Sequence, residues 1–341
     1  MKRVHIIATG GTIASKTDAA TGAARPTLTA QDLVSAVPEL KDVAEVTFEQ
    51  FANLASQALS FEQLLAVGRR IRTALERADA DGIVITQGTM TMEESSYLWD
   101  LVLERNGPVV VTGAMRHSSL SSPDGPRNLL DAVIAASSDV TRRLGVLVCM
   151  NGELHAARDV VKYHSQGIDS FRSPDVGPVG FVRNGRVDLH RMPPDRHQPI
   201  PVAAVTAKVY LLPVVVGDDG SLLEAATAAG AHGLVIQLMG GGAVPPACVP
   251  VIAKALERIP VIGVSRCSAG SMYENVYSFE GGDKQLRQLG VIFAGSLSGL
   301  KARIKLLLYL SAHPRHAEGV AGDVRADALW RSALVEIFPN V

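Results

Sequence analysis

Short apolar runs alternate with amphipathic segments along nearly all of this 341-residue chain, and that alternation admits few folds. Residues 4–8, 82–86, 108–113 and 145–150 are brief, largely apolar and rich in β-branched side chains, the pattern of strands buried on both faces. Helical patterns lie between them. Residues 61–78 place Leu64, Ile71, Leu75 and Ala78 on one stripe, and Ser60 with Gln63 forms a capping box. Residues 93–104 carry Glu93 and Glu94 in the first turn, where the helix dipole favours carboxylates. A third helix runs to Ala136, with Asp124 as its cap and Pro126 in its first turn. Strand–helix alternation of this kind predicts a mostly parallel sheet covered by helices.

The rhythm changes after residue 180. Asn184-Gly185 supplies both positive-φ positions of a tight hairpin turn inside 181–188, and residues 191–201 hold four prolines without apolar periodicity. Alternation then resumes, with strands expected at 208–215, 233–239, 261–267 and 290–295 and helices at 221–229, 248–258, 298–312 and 325–337. The expected organisation is a larger N-terminal α/β domain with a mostly parallel sheet (1–190), a linker (191–206) and a smaller C-terminal α/β domain (207–341).

Composition narrows the partners. Apolar residues make up 47% and charged residues 20%, which excludes a disordered or fibrous chain. The 33 Lys and Arg nearly balance the 34 Asp and Glu without a basic block, so neither nucleic acid nor an anionic membrane is an expected partner. Cys149, Cys248 and Cys267 lack CxxC spacing and sit in apolar stretches, the pattern of buried thiols rather than disulfides or zinc ligands. Met1-Lys-Arg-Val-His-Ile-Ile7 runs directly into Thr9-Gly10-Gly11-Thr12 with no leader-like apolar segment, so a cytoplasmic location is expected.

Ligands of parallel sheets bind beyond the carboxyl ends of the strands, so the segments that follow the strands are the candidates. Thr9-Gly10-Gly11-Thr12-Ile13-Ala14-Ser15 follows the first, and Thr86-Gln87-Gly88-Thr89-Met90-Thr91-Met92-Glu93-Glu94 follows a second. Each sets Gly directly before Thr, presenting backbone N–H groups beside a hydroxyl. Such a pair suits attack on a carbonyl and stabilisation of the resulting oxyanion. Each loop alone is equally a tight strand-to-helix turn with a capping Thr. Neither carries a full nucleotide fingerprint.

Together the two loops resemble those of the bacterial-type L-asparaginase family. The resemblance continues through Asn53-Leu-Ala-Ser56-Gln57, Thr112-Gly-Ala114-Met-Arg116, Asp124-Gly-Pro126, Ala157-Arg-Asp-Val-Val-Lys162, Gly240-Gly-Gly-Ala243-Val-Pro-Pro246 and Lys301-Ala-Arg303. It implies two α/β domains, dimers or tetramers, and sites shared between one subunit and its neighbour. By the same resemblance Thr12 is the nucleophile, and Thr89 with Lys162 transfers protons. Gly11, Ser56, Gln57, Gly88, the residue at 90 and Ala114 would contact a small amide substrate. No cofactor or metal is implied.

Four departures bear on the substrate. The family's Asp after the second Thr is Met90 here, and its second-domain Asn is Ala243. By spacing, its neighbour-subunit Glu falls on Tyr277, with Glu274 nearby. The Tyr of its mobile loop has no match in Thr21-Gly-Ala-Ala-Arg25-Pro-Thr27. Two substrate readings follow, asparagine handled through substitute contacts or an amide, open-chain or cyclic, without an α-ammonium group. Without the Asp, Lys162 is expected to titrate low. A non-catalytic binding protein on this scaffold is the competing reading, and a tRNA-dependent amidotransferase subunit is disfavoured for lack of added sequence. Ser298-Gly-Leu-Lys301 reads as a helix cap rather than an acyl-transfer motif. His313 and His316 lack companion ligands, His155 and His164 are expected to be structural, and Arg25 reads as a solvated loop charge.

Overall fold

The computed structural model describes residues 1–18, 21–104, 106–194, 198–314 and 332–338. It divides into two compact units, Met1–Pro199 and Ile200–Val341.

In the first unit the strands are β1 (Arg3–Gly10), β2 (Ser15–Thr17), β3 (Ala24–Pro26), β4 (Glu45–Leu54), β5 (Gly82–Thr86), β6 (Val109–Thr112), β7 (Val146–Met150), β8 (Glu153–Ala156), β9 (Val161–Lys162), β10 (Phe171–Arg172), β11 (Gly180–Arg183) and β12 (Arg186–Leu189). The helices are α1 (Ala30–Ser35), α2 (Leu40–Val43), α3 (Phe61–Glu76), α4 (Met92–Val102) and α5 (Gly125–Ala136). Eight strands form one sheet in the order β4-β1-β5-β6-β7-β8-β11-β12, with β2–β3 and β9–β10 as separate pairs. From β4 to β7 every neighbour is parallel; β8, β11 and β12 close the sheet antiparallel.

Every residue of β5, β6 and β7 is buried, as continuous apolar runs require when both faces are covered. Val4, Ile6, Val84, Val110 and Leu147 join one cluster with Leu129, Ala132, Val133 and Ala136 of α5. Burying a side chain of this size contributes about 1.5–3 kcal/mol, so this face is a major source of the unit's stability. α3 begins with the anticipated Ser60–Gln63 box but ends at Glu76, and its stripe is displaced. Leu65, Val67, Gly68 and Ile71 are buried, while Ala78 is exposed at φ 52°. The cause is Trp99 of α4: its Cδ1 lies 3.6 Å from where a Cβ on Gly68 would stand, and its Nε1 donates to the Leu64 carbonyl at 2.8 Å. The hairpin forms as read, with Asn184 at φ 50° and Gly185 at φ 71°. β4 escaped the reading because, at a sheet edge, it alternates exposed and half-buried residues and has no apolar run.

The second unit holds β13 (Val209–Pro213), α6 (Ser221–Ala228), β14 (Gly233–Leu238), α7 (Cys248–Leu256), β15 (Val261–Ser265), α8 (Asp283–Leu289), β16 (Ile292–Phe293) and α9 (Gly299–Ala312). Its four strands run parallel in chain order. Residues 332–337 are helical, and the rest of the helix expected at 325–337 lies outside the described residues. Cys149 and Cys248 are buried thiols; Cys267, just past β15, is exposed, because the chain has already left the sheet there. Among the described residues no helix is long and apolar enough to cross a membrane.

Gly82 is where β5 presses on α5: a Cβ there would sit 2.0 Å from the Ala136 carbonyl oxygen. Gly82→Ala should destabilise the protein by about 1–3 kcal/mol, the usual cost of overpacking, read as a lowered urea midpoint at unchanged slope.

Candidate active site

β1 and β5 are neighbours, yet the chain leaves β1 toward β4 on one side and β5 toward β6 on the other. Loops that diverge from adjacent parallel strands open a crevice at their carboxyl ends. The loops bearing Thr12 and Thr89 both lie there.

Glycine lets these loops touch. Gly11 sits at φ 88°, and a Cβ on it would stand 2.2 Å from the Gly88 nitrogen, so the two backbones are in direct contact. The residues that follow, Thr12 and Thr89, are therefore neighbours. Ser56, from the turn after β4, packs on the other side of Gly88, where a Cβ would meet its Oγ at 2.9 Å. Thr91 Oγ1 fixes that turn by donating to the Ser56 carbonyl at 3.2 Å. The loop after β6 joins through Gly113, whose added Cβ would lie 2.5 Å from the Gln87 carbonyl and 3.4 Å from Thr89 Cγ2. Ala114 beside it is fully buried.

This last loop is held from α5. Asp124 occupies the N-cap position, but its carboxylate caps no helix N–H. It accepts instead from the Met115 nitrogen (3.0 Å), the Arg116 nitrogen (2.8 Å) and Asn128 Nδ2 (3.1 Å), which also donates to the Gly113 carbonyl at 3.0 Å. The expected cap is thus a loop clamp. Asp124 itself has helical backbone angles, whereas a capping side chain needs an extended residue.

Lys162 reaches the crevice from β9, where it pairs with Phe171 of β10. Its Nζ lies 2.7 Å from Thr89 Oγ1. Partial burial lowers the lysine's pKa from its ordinary 10.5, while the Glu93 carboxylate at the start of α4 opposes that shift. An amine destabilised as a cation and touching a buried hydroxyl is a competent proton acceptor. Thr12 opens a short 3-10 turn (Thr12–Ala14), is partly exposed, and its hydroxyl makes no hydrogen bond among the described residues.

The structure therefore brings together Gly11, Thr12, Ser56, Gly88, Thr89, Ala114 and Lys162. Met90 and Gln57 belong to the same loops with side chains in solvent, Met90 being 66% exposed. Three contributors were not singled out beforehand. Glu93 was visible only as a helix-dipole residue. Gln87 links Thr91 Oγ1 (3.3 Å) to Ser95 Oγ (2.9 Å), and Thr9 Oγ1 donates to the Thr86 carbonyl at 2.9 Å. Only contacts across the chain reveal these roles.

The remaining candidates are placed elsewhere. Buried His155 bonds Ser173 and pairs with Glu153, and His164 Nδ1 accepts from the Gln166 and Gly167 nitrogens, so both are structural. Arg25 lies on β3, paired with Lys16 of β2. Ser298 stands at the N-cap of α9 but its hydroxyl forms no capping bond, a correction to the expected cap, and Lys301 is buried in the second unit. No His, Cys, Asp and Glu cluster among the described residues suits a metal, and His316 lies outside them. In the second unit, Ala243 bridges Met239, and Tyr277 meets Tyr273 edge-on and packs tilted against Phe279.

Lys162 should titrate below an ordinary lysine when its acetylation rate is followed against pH. Glu93→Gln removes the charge that favours the ammonium form, so the midpoint should move lower still; a midpoint unmoved by the substitution would contradict the coupling.

Comparison with known proteins bears on both units. Residues 3–195 match the family described as "Asparaginase, N-terminal" and residues 208–319 match "Glutaminase/Asparaginase C-terminal domain". L-asparaginase 2 of Escherichia coli (strain K12) is 34% identical over 319 residues, covering 91% of this chain and 89% of that protein. Glutaminase-asparaginase of Pseudomonas fluorescens biotype A is 32% identical over 320 residues, 91% of this chain and 87% of its own length. The crystal structure of a probable cytoplasmic L-asparaginase from Campylobacter jejuni superposes with a TM-score of 0.82 at 31% identity, covering 93% of this chain and 98% of that one.

Proposed function

Since this chain belongs to the bacterial-type L-asparaginase/glutaminase family of amidohydrolases, we propose that it hydrolyses a small amide through Thr12, with Thr89 and Lys162 as the proton-transfer pair. The observation that carries this reading is the 2.7 Å approach of Lys162 Nζ to Thr89 Oγ1, on a loop in backbone contact with the Thr12 loop.

Thr12 Oγ1 attacks the amide carbonyl carbon and loses its proton to the Thr89–Lys162 pair. Collapse of the tetrahedral species breaks the C–N bond, and the departing nitrogen takes up a proton as ammonia. Water then adds to the Thr12 ester and releases the acid, restoring the threonine hydroxyl. A threonine is a weak nucleophile until a base removes its proton, which is why a lysine of lowered pKa matters here. Ser56, Gln57, Gly11, Gly88 and Ala114 line the approach, and residue 90 adjoins the nucleophile pair. The same proposal includes a cytoplasmic location and a dimer or tetramer with its sites at subunit interfaces, the oligomer to be read from light scattering.

Met90 favours a specific variant of the reading. An exposed apolar side chain directly after Thr89 offers no charge to an α-ammonium group, so succinamate or a small cyclic amide is a better substrate than asparagine. Ammonia release from open-chain amides and acid release from cyclic ones distinguish these substrates; no turnover of any, with an unreactive Thr12, identifies a binding protein instead.

Thr12→Ala should abolish turnover, and Lys162→Met should lower kcat by about 10²–10⁴-fold, the usual worth of a positioned acid–base group; full activity in Lys162→Met would remove it from the mechanism. Met90→Asp should improve asparagine relative to succinamate by about one to two orders of magnitude in kcat/KM, since a charge-assisted hydrogen bond is worth about 1.5–3 kcal/mol.

A further inference from the structure

A second cavity opens in the first unit on the other side of the Asp124–Asn128 clamp. It measures about 450 Å³ and lies between α5, the turn joining β7 to β8, and the hairpin strand β11. Its lining includes Arg127, Asp131, Glu153, Phe181 and Arg183, together with Asp124 and Asn128. Nothing in the proposed amide chemistry uses it.

Its polar groups are held in place but incompletely satisfied. Arg127 Nε donates to Asp131 Oδ2 at 2.9 Å, and the two terminal amino groups of Arg127 form no hydrogen bond among the described residues. Arg183 is fixed from the other wall, its guanidinium stacked 3.9 Å over the Phe181 ring, with only a distant 3.9 Å approach to Asp188. Asp131 has a fully buried side chain whose Oδ1 has no partner, the one orphan among the lining residues. Leaving a carboxylate oxygen buried and unpaired is costly, so this wall of the cavity carries an unmet hydrogen-bond demand. Asp124 and Asn128, by contrast, are saturated by the loop they clamp.

Two guanidinium groups with N–H donors to spare fit a carboxylate; Asp131 on the same lining, with Glu153, whose Oε2 lies 3.2 Å from His155 Nε2 and whose other oxygen is left over among the described residues, fits an ammonium. We infer that this cavity is a binding site for a small dipolar amino acid, its carboxylate on Arg127 and Arg183 and its ammonium on Asp131 and Glu153. A simple anion suits it less well, because three carboxylates and two guanidinium groups line the space. Occupancy bears on the first site physically: Arg127 sits on the first turn of α5 between Asp124 and Asn128, which hold the backbone of residues 113–116. The inference stands whether or not the loop cluster hydrolyses amides.

Saturation-transfer NMR on the full chain tests it, with a mixture of the twenty protein amino acids and with acetate and methylammonium as single-charge controls. At least one amino acid should bind, weaken about tenfold or more in Arg183→Ala and in Glu153→Gln, and persist in Thr12→Ala and Lys162→Met, which alter only the first site. Thermal unfolding establishes that each variant is folded, and Arg183→Lys, which keeps the charge, should retain part of the binding and decides the matter if Arg183→Ala fails to fold. Binding unchanged in Arg183→Ala and Glu153→Gln, no amino acid bound at all, or acetate bound as well as the amino acids would each overturn the proposal.

Discussion

Backbone contact between Gly11 and Gly88 is the constraint on which the rest of the site depends. Two loops leaving adjacent parallel strands in opposite directions would ordinarily keep their side chains apart. Here the absence of a Cβ on Gly11 lets the chains meet, with 2.2 Å between the position that Cβ would take and the Gly88 nitrogen. Thr12 and Thr89 are set side by side as a result, and Ser56 and Gly113 close in around Gly88 and Thr89. Any side chain at Gly11 would push the two loops apart.

The second determinant is the electrostatic state of Lys162. Partial burial favours its neutral form and Glu93 favours the cation, with burial the larger of the two opposed influences. The carboxylate that bears on Lys162 comes from the first turn of α4, while the residue directly after Thr89 is the exposed Met90.

α5 ties these features to the rest of the unit. One face of it fills the core beneath β5 and β6, while its first turn holds the loop carrying Ala114 and contributes Arg127 to the second cavity.

Much of this was legible in the residues alone. Continuous β-branched runs had to be strands covered on both faces and Asn184-Gly185 had to turn, because local sterics and hydrophobic period fix these outcomes; the Gly-Thr pairs after two strands marked the loops of the proposed site. Folding in three dimensions decided the rest. The edge strand β4 has no apolar run to betray it; Asp124 serves a loop eight residues upstream instead of its own helix; and with Trp99 packed at Gly68 of α3, Leu65 and Val67 join the expected Ile71 in the core. The partnership of Lys162 with Thr89, 73 positions apart, and the meeting of Arg127 with Arg183 across one cavity depend on which strands become neighbours. Such long-range proximity is set by sheet order, and no local pattern in the chain encodes it.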